Sequence, residues 1–190
     1  VEDAPQHPTT RKGNIRVALE QEIEQRCRRG QLRATVLRAG DFFGCGPGSW
    51  FDQAIVASLR SGKVVYPSRL DIPHAWAYVP DLAKTFVQLA NRDDRRVDAF
   101  EQLHFAGHGV DGEAFLSAIE RVMQREAPRQ RVRRGGLPWW IFKIGAVFVP
   151  MWREILEMSY LWHTPHVLDD AKLRAQIHDV PHTDLDDAIY

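Results

Sequence analysis

The chain has 190 residues, of which 44% are hydrophobic and 26% charged, values typical of a globular domain with its own core. Lysine plus arginine number 25 and aspartate plus glutamate number 25, so the formal charge of zero offers no overall support for binding nucleic acid or an anionic membrane. The two cysteines are too few for a disulfide framework, and no signal peptide is visible, so we expect a cytoplasmic protein.

Helix and strand signals alternate along the chain. Apolar residues recur every four positions from Ile15 to Cys27, and Gly30 follows, which predicts a long helix with an apolar stripe. Pro80 suits the first turn of a second helix, and Asp111 suits the cap of a third. In chain order we predict a loop at 1–10, a helix at 10–29, a strand at 32–38, a glycine-rich turn at 41–48, a helix at 50–60, strands at 63–66 and 75–79, a helix after Pro80, a strand at 102–106, a helix after Asp111, an arginine-rich connector at 125–134, a tryptophan-rich helix at 138–162 and a short helix at 169–177.

This alternation indicates an α/β architecture. The visible strands, about four in number, make a thin sheet for a doubly wound domain, so we expect the chain to be part of something larger.

Four phrases carry a family resemblance: the acidic, proline-containing opening EDAPQHP at residues 2–8, RAGDFFG at 38–44, HAWAYVPD at 74–81, and the ending at 169–188. In this order they resemble the extended short-chain dehydrogenase/reductase superfamily, specifically its NAD-dependent epimerase/dehydratase group. The resemblance implies an NAD(P)-binding Rossmann-like α/β fold, represented by its C-terminal part because nothing before Glu2 supplies a glycine-rich pyrophosphate turn.

The resemblance also implies a division of the chain. Residues 1–62 are expected to form the C-terminal part of the Rossmann-like domain, with the catalytic-type helix, the sixth strand and the start of the substrate region. Residues 63–190 are expected to form mostly the substrate-side subdomain and C-terminal helices, with one further sheet strand near 101–106.

Two positions on the first helix depart from the family pattern. The family places a Tyr, a Lys four residues later and often a Glu four further on, and counting back from Glu20 puts Arg16 in the Lys slot and Lys12 in the Tyr slot. The family's Lys lowers the pKa of the phenol so that it transfers a proton, a role closed to an exposed ammonium unless burial lowers its pKa. Arg16 is a candidate contact for a ribose or phosphate. The alternative is that both are solvated cations at the start of a helix.

The remaining site residues follow from the resemblance. It implies NAD or NADP as cofactor, with Arg16, Ala39 and Gly40 beside it. It implies substrate contacts from Asp41, Phe43 and His74, the last in a slot that the family fills with Arg. The segment that distinguishes NAD from NADP is not in the sequence.

A rival glycine motif, GHGVDG at 107–112, matches G-x-G-x-x-G between a predicted strand and a predicted helix. A dinucleotide site needs further strand–helix units downstream and an acidic residue about 20 positions on, where this chain has RVRR at 131–134. The sequence therefore favours a plain strand-to-helix turn.

Other features have an ordinary and a functional interpretation. GCGPG at 44–48 lacks the ending of a P-loop and favours a mobile active-site loop. Cys45 has no basic partner nearby in the sequence, and His163 and His166 lack further ligands, so we expect no nucleophile and no metal site. The arginine run at 129–134 is a solvated connector or an anion contact, and the tryptophans belong to a core or an interface.

Three functions remain open at this point. The first is an NAD(P)-dependent epimerase, dehydratase or reductase acting on a sugar nucleotide or small carbonyl substrate with the usual dyad replaced. The second is a non-catalytic NAD(P)-binding sensor or scaffold, and the third is an interaction domain that uses the arginine run and the tryptophan-rich helix. We expect a small-molecule substrate, no nucleic-acid or membrane partner, and a homodimer through the helix at 10–29.

Overall fold

The computed structural model describes residue 2, residues 4–93 and residues 98–190; Asp3 of the opening phrase lies outside the described residues. The helices are α1 (Arg11–Arg28), α2 (Val79–Ala90), α3 (Gly112–Glu126), α4 (Trp139–Gly145), α5 (Pro150–Glu157), α6 (Ala171–Gln176) and α7 (Leu185–Ile189). The strands are β1 (Ala34–Ala39), β2 (Asp41–Phe43), β3 (Lys63–Tyr66), β4 (His74–Tyr78), β5 (Phe100–Phe105), β6 (His108–Val110) and β7 (Arg133–Gly136).

Helix α1 forms where the apolar period predicted it. The Thr10 hydroxyl caps it by accepting a hydrogen bond from the Gly13 amide at 3.0 Å. Its apolar stripe is covered unevenly, because Cys27 is buried whereas Ile15 and Leu19 are each 58% exposed. The N-terminal half of the stripe is therefore open on the surface.

Strands β1 and β5 form a parallel pair in which Ala34 lies opposite Phe100 and Ala39 opposite Phe105. Among the described residues β5 is the strand that pairs with β1, and the other edge of β1 is open. The further sheet strand expected near 101–106 is thus present as a parallel neighbour of β1.

Strand β4 lies at the centre of a second sheet, parallel to β2 and antiparallel to β6. Gly40 joins β1 to β2, and a Cβ at this position would lie 2.0 Å from the carbonyl oxygen of Ala75. A glycine is therefore required for the chain to pass this close to β4. Strands β3 and β7 form a third, parallel pair.

Two apolar clusters hold these layers together. The first surrounds Trp76 and joins the second and third sheets to α3 and the end of the tryptophan-rich segment; its buried members are Phe43, Ile55, Val64, Tyr66, Trp76, Phe115, Leu116, Ile119, Trp162 and Ala188. The second packs β5 against α2 and the C-terminal segment; its buried members are Ala77, Leu82, Leu89, Leu103, Phe105, Leu173, Ile177 and Val180.

Several predicted elements differ from the structure. The helix predicted at 50–60 is wrong: a π-helical turn at Phe51–Ile55 and a 3-10 turn at Leu59–Ser61 occupy that segment. The long helix predicted at 138–162 is also wrong, because Pro150 starts a new helix and the segment divides into α4, α5 and a 3-10 turn at Ser159–Trp162. The predicted connector at 125–134 runs into β7. Of the helices that the structure describes, none has the length and apolarity of a membrane span.

Candidate functional site

A cleft of about 620 Å³ lies beside the start of α1, a volume suited to a small ligand. The loop after β2 forms one wall, and α4 and α5 form another. The polar groups that line it come from Lys12, Ser49, Gln53, Ser58, Lys63 and Glu154, and the apolar groups from Trp50, Ala54, Ala57, Val65, Leu137, Pro138, Phe142, Met151, Ile155 and Met158. The cleft thus combines cationic and hydroxyl groups with an apolar wall.

Lys12, which the sequence resemblance assigns to the family's Tyr slot, lines this cleft and forms an ion pair with Glu154 of α5. Its Nζ lies 3.0 Å from the Glu154 carboxylate, and the hydrogen bond from Lys12 lowers the pKa of Glu154. The Glu157 carboxylate accepts hydrogen bonds from the amides of Arg11 at 2.6 Å and Lys12 at 3.4 Å. Helix α5 therefore supplies the negative charge that the first turn of α1 lacks.

Arg16, in the Lys slot, is exposed one turn further along α1 and does not line the cleft. Next to it, Glu20 accepts hydrogen bonds from Nε of Arg38 at 3.2 Å and Nη2 at 2.5 Å, and from Gln6 at 2.9 Å. Burial opposes the ionisation of Glu20, yet these hydrogen bonds lower its pKa. Arg38, the first residue of the phrase at 38–44, therefore links β1 to α1.

Ala39 and Gly40 lie where β1 ends and the chain turns into β2. Ala39 is partly exposed at the carboxyl end of a parallel strand, the end at which open α/β sheets bind their ligands. Gly40 packs against the backbone of β4, so its missing side chain is explained by the fold.

The structure brings together two of the three predicted substrate residues, Asp41 and His74, whereas Phe43 pairs with Tyr78 further along β4. His74 Nε2 lies 2.7 Å from the Asp41 carboxylate, because parallel pairing of β2 and β4 brings the start of each strand together. His74 is 2% exposed and Phe43 is fully buried, and neither lines the cleft. Asp41 and Phe43 belong to β2, just before the loop at 44–50 that does contribute to the cleft, and His74 begins β4 beside Asp41.

Aromatic rings enclose His74. Its imidazole stacks on Trp162 with centroids 4.3 Å apart and an interplanar angle of 4°, and His166 meets it edge-on, also at 4.3 Å. Burial and the neighbouring His74 lower the pKa of His166. The end of the tryptophan-rich segment is thereby fixed against β4.

Asp81, the last residue of the phrase at 74–81, holds the C-terminal segment. Its buried carboxylate accepts hydrogen bonds from the Thr183 amide at 2.5 Å and the Thr183 hydroxyl at 3.0 Å. This pair joins two of the four phrases on which the family resemblance rests.

The rival motif GHGVDG has structural roles. Gly107 has a φ of +56°, and a Cβ there would lie 2.2 Å from the Trp76 carbonyl oxygen. At the start of α3 the Asp111 carboxylate accepts from the Ala114 amide at 2.8 Å, and Leu70 O accepts from the Glu113 amide at 3.0 Å. Because the chain itself occupies these donors, they are not open to a pyrophosphate.

The other candidates stay without a site. No metal-binding group of His, Cys, Asp or Glu side chains is found in the part of the chain that the structure describes. Cys45 is an exposed free thiol and Cys27 a buried one. Tyr66 packs against Trp162 in the core, and burial raises the pKa of its phenol.

Comparisons with known proteins give the fold a context; no family profile and no curated protein sequence matches the chain. Its structure resembles TunA, an NAD-dependent NDP-hexosamine 5,6-dehydratase involved in tunicamycin biosynthesis, with a TM-score of 0.65 and 16% identity over 100% of this chain and 54% of that one. L-threonine 3-dehydrogenase from Trypanosoma brucei gives a TM-score of 0.69 with 18% identity over 99% and 54% of the two chains. MoeE5, solved with UDP-glucuronic acid and NAD, gives 0.68 with 17% identity over 99% and 56%.

These similarities show that the chain shares the Rossmann-like α/β fold of the corresponding part of these proteins, which confirms the predicted fold class. The chain spans about half the length of these relatives. The family resemblance seen in the sequence is confirmed at the level of the fold.

Sequence reasoning missed the wall formed by α4 and α5, including Glu154 and Glu157. Both lie in a segment predicted as one continuous buried or partner-facing helix, and nothing in their spacing links them to Lys12. The lack of acidic residues in the first turn of α1 was the available signal, because a helix start without its own acids can be stabilised by acids from elsewhere.

Proposed function

We propose that this chain belongs to an NAD(P)-dependent epimerase, dehydratase or reductase-like protein that acts on a sugar nucleotide or a small carbonyl substrate. The observation that carries the proposal is the position of Lys12, which lines a ligand-sized cleft from the slot in which the family carries its catalytic Tyr. The fold is shared with TunA and MoeE5, a dehydratase of NDP-hexosamine and a protein solved with UDP-glucuronic acid.

The residues present fit NAD or NADP at the carboxyl end of β1. Ala39 is small and partly exposed there, and Arg16 is an exposed cation suited to a ribose or phosphate. When bound, the nicotinamide would accept or give a hydride. In this proposal Ala39 and Gly40 flank the cofactor, and Arg16 holds its polar groups.

The substrate would lie in the cleft. Lys12 and Lys63 offer positive charge to phosphate or carboxylate oxygens, and Ser49 and Gln53 offer hydrogen bonds to hydroxyl groups. We propose that Asp41, Phe43 and His74 act on the substrate side by fixing β2, from which the loop at 44–50 starts.

A non-catalytic NAD(P)-binding sensor is the second candidate, and the Lys12–Glu154 ion pair favours it. An ammonium held 3.0 Å from a carboxylate is a poor general base, because loss of its proton would also lose the ion pair. In this case the cleft binds a ligand, and the protein responds to that binding without converting the ligand to a product.

Calorimetry with NAD(H) and NADP(H), combined with a turnover assay on sugar nucleotides and small carbonyl compounds, separates the two functions. Both measurements use the full-length protein. If the protein is an enzyme, Lys12→Ala should lower kcat at least about tenfold and leave the cofactor affinity unchanged. The matched control is Lys63→Ala, a second cleft lysine, which should change mainly KM. Cofactor binding without turnover on any substrate supports the sensor, and absence of cofactor binding refutes both.

We also propose a cytoplasmic homodimer that associates through α1. The exposed Ile15 and Leu19 support the interface, and the two free cysteines support a reducing compartment.

A further inference from the structure

Helices α4 and α5 form a hairpin that is closed by its inner side chains. The rings of Phe142 and Trp152 lie 5.1 Å apart, and a Cβ on Gly145 would lie 2.0 Å from the Trp152 ring, so that ring covers the glycine. Arg153 donates a hydrogen bond from Nε to the Ala146 carbonyl at 2.8 Å, which fixes the end of α4. The hairpin thus holds its shape without the side chains on its outer surface.

That outer surface is apolar and exposed. Its members lie on α4, on the turn at 146–149 and at the start of α5, and they define what we call the hairpin tip: Trp140, Ile144, Val147, Phe148 and Met151. Phe148 is 80% exposed and Val147 69% exposed. A contiguous exposed patch of this kind marks an interaction surface.

The charged side chain within the segment of the hairpin tip is cationic, and so are the exposed charges shortly before it in the sequence. From residue 137 to residue 152 the sequence contains one charged residue, Lys143, which is exposed. Arg131 and Arg133, just before α4, are also exposed. The nearest acids on α5, Glu154 and Glu157, are engaged by the start of α1.

We propose that the hairpin tip inserts into the headgroup region of an anionic lipid membrane. Tryptophan, large apolar side chains and flanking Lys or Arg are the combination that favours the interface of an anionic bilayer. The mode is peripheral, because α4 and α5 are far shorter than the roughly 20 residues of a span.

A second copy of the chain fits this surface less well. In a symmetric pair the tip would face itself, which brings Lys143 near its own copy with no acid between them. This inference departs from the sequence-based expectation of no membrane partner, which rested on the net charge of the whole chain and not on one surface. It is independent of the proposed function.

Membrane contact would have a consequence for the cleft. Met151 belongs to the hairpin tip and also lines the cleft, and Phe142 connects the inner side of the hairpin with the cleft wall. Docking would therefore bring the cleft close to the lipid surface.

Vesicle flotation of the full-length protein tests the proposal. Vesicles of phosphatidylcholine with phosphatidylglycerol should carry the protein upward, and vesicles of phosphatidylcholine alone should carry less. The double variant Val147→Ser/Phe148→Ser should bind at least about tenfold more weakly. Lys143→Gln should weaken binding about fivefold on the anionic vesicles. The matched control is Val87→Ser on α2, which is 60% exposed and should bind like the unmodified protein.

Four outcomes would overturn the proposal. One is absence of binding to anionic vesicles, and another is equal binding by the double variant. A third is self-association without lipid that the double variant abolishes, which would make a second copy the partner. The fourth is protection of the hairpin amides from hydrogen exchange before lipid is added, which would mean that protein already covers the tip.

Discussion

The ammonium of Lys12 lies 3.0 Å from the carboxylate of Glu154, and both side chains line the same cleft. The pair joins α1, on which the sequence resemblance predicts the dyad slots, to α5, which forms part of the apolar wall. A ligand that needs the charge of Lys12 must therefore compete with Glu154.

Removal of that competitor should strengthen binding of anionic ligands. Glu154→Gln leaves Lys12 in place without its carboxylate partner, and the affinity of the cleft for a sugar nucleotide should rise about threefold to fivefold, the scale of an exposed ion pair. Titration calorimetry measures the change. The control is Glu22→Gln, which breaks the exposed Arg26–Glu22 pair on α1, the helix that carries Lys12. This variant should leave the affinity unchanged. Equal effects of Glu154→Gln and Glu22→Gln would contradict the competition between Glu154 and the ligand for Lys12.

The Asp81–Thr183 contact should be a major source of stability. Asp81→Asn removes a buried charge that accepts two hydrogen bonds, and we expect the free energy of unfolding to fall by about 2–3 kcal/mol. Urea denaturation measures this, and hydrogen exchange should show faster exchange of the Thr183 amide. Asp71→Asn, which breaks an exposed pair with Arg69, should leave the free energy of unfolding nearly unchanged. Similar losses in both variants would refute the anchoring role.

Gly40 should tolerate no side chain. Gly40→Ala places a methyl group against the Ala75 carbonyl, and we expect a loss of about 3 kcal/mol or failure to fold. Gly136→Ala is the matched control, because its Cβ would meet nothing within 4 Å. Thermal unfolding followed by circular dichroism compares the two. A tolerated Gly40→Ala would mean that β1 and β4 are not packed as described.

Stability should fall in mild acid because of His108. Burial, followed by the charge of nearby His182, lowers the pKa of His108 from 6.5 to about 4. The unfolded chain therefore binds more protons between these values, so the free energy of unfolding decreases as the pH falls from 6.5 to about 4, by about 3 kcal/mol in total. His104 and His166 shift in the same direction.

His108→Asn isolates this contribution. Urea denaturation across the pH range should show a shallower decline for the variant than for the unmodified protein. Identical pH profiles would show that His108 does not titrate with the lowered pKa.

Association through α1 should depend on its open stripe. Leu19→Glu places a charge on the surface that holds Ile15 and Leu19, and sedimentation velocity should show conversion of a dimer to a monomer. Val87→Glu, on the exposed side of α2, should leave the dimer intact. A monomer at high concentration before any substitution would argue against the dimer.

Local patterns predicted part of the fold well. The period of α1, the residues of β3 and the Asp111 cap all depend on neighbours in the sequence, and the structure contains each of them. Strand β7 escaped prediction because Arg133–Gly136 has no strand pattern of its own and is held by its pairing with β3. Pro150 indicated the break in the predicted tryptophan-rich helix. The continuous apolar run around Pro150 favoured one long helix instead.

The candidate site was predictable only in part. The resemblance predicted Asp41, Phe43 and His74 at the substrate; strand pairing brings Asp41 and His74 into contact, and Phe43 lies in the core opposite Tyr78. The burial of His74 depends on Trp162 and His166, which pack against it from far along the chain. The ion pair of Lys12 with Glu154 joins two segments with no common motif, so only a tertiary structure reveals it.

The open edge of β1 has a practical consequence. A strand that uses one of its two edges presents free amide and carbonyl groups, to which another strand can add. Produced by itself, this chain should aggregate through that edge. A separately expressed fragment that contributes a matching parallel strand should restore solubility, and the two pieces would then serve as halves of a split reporter.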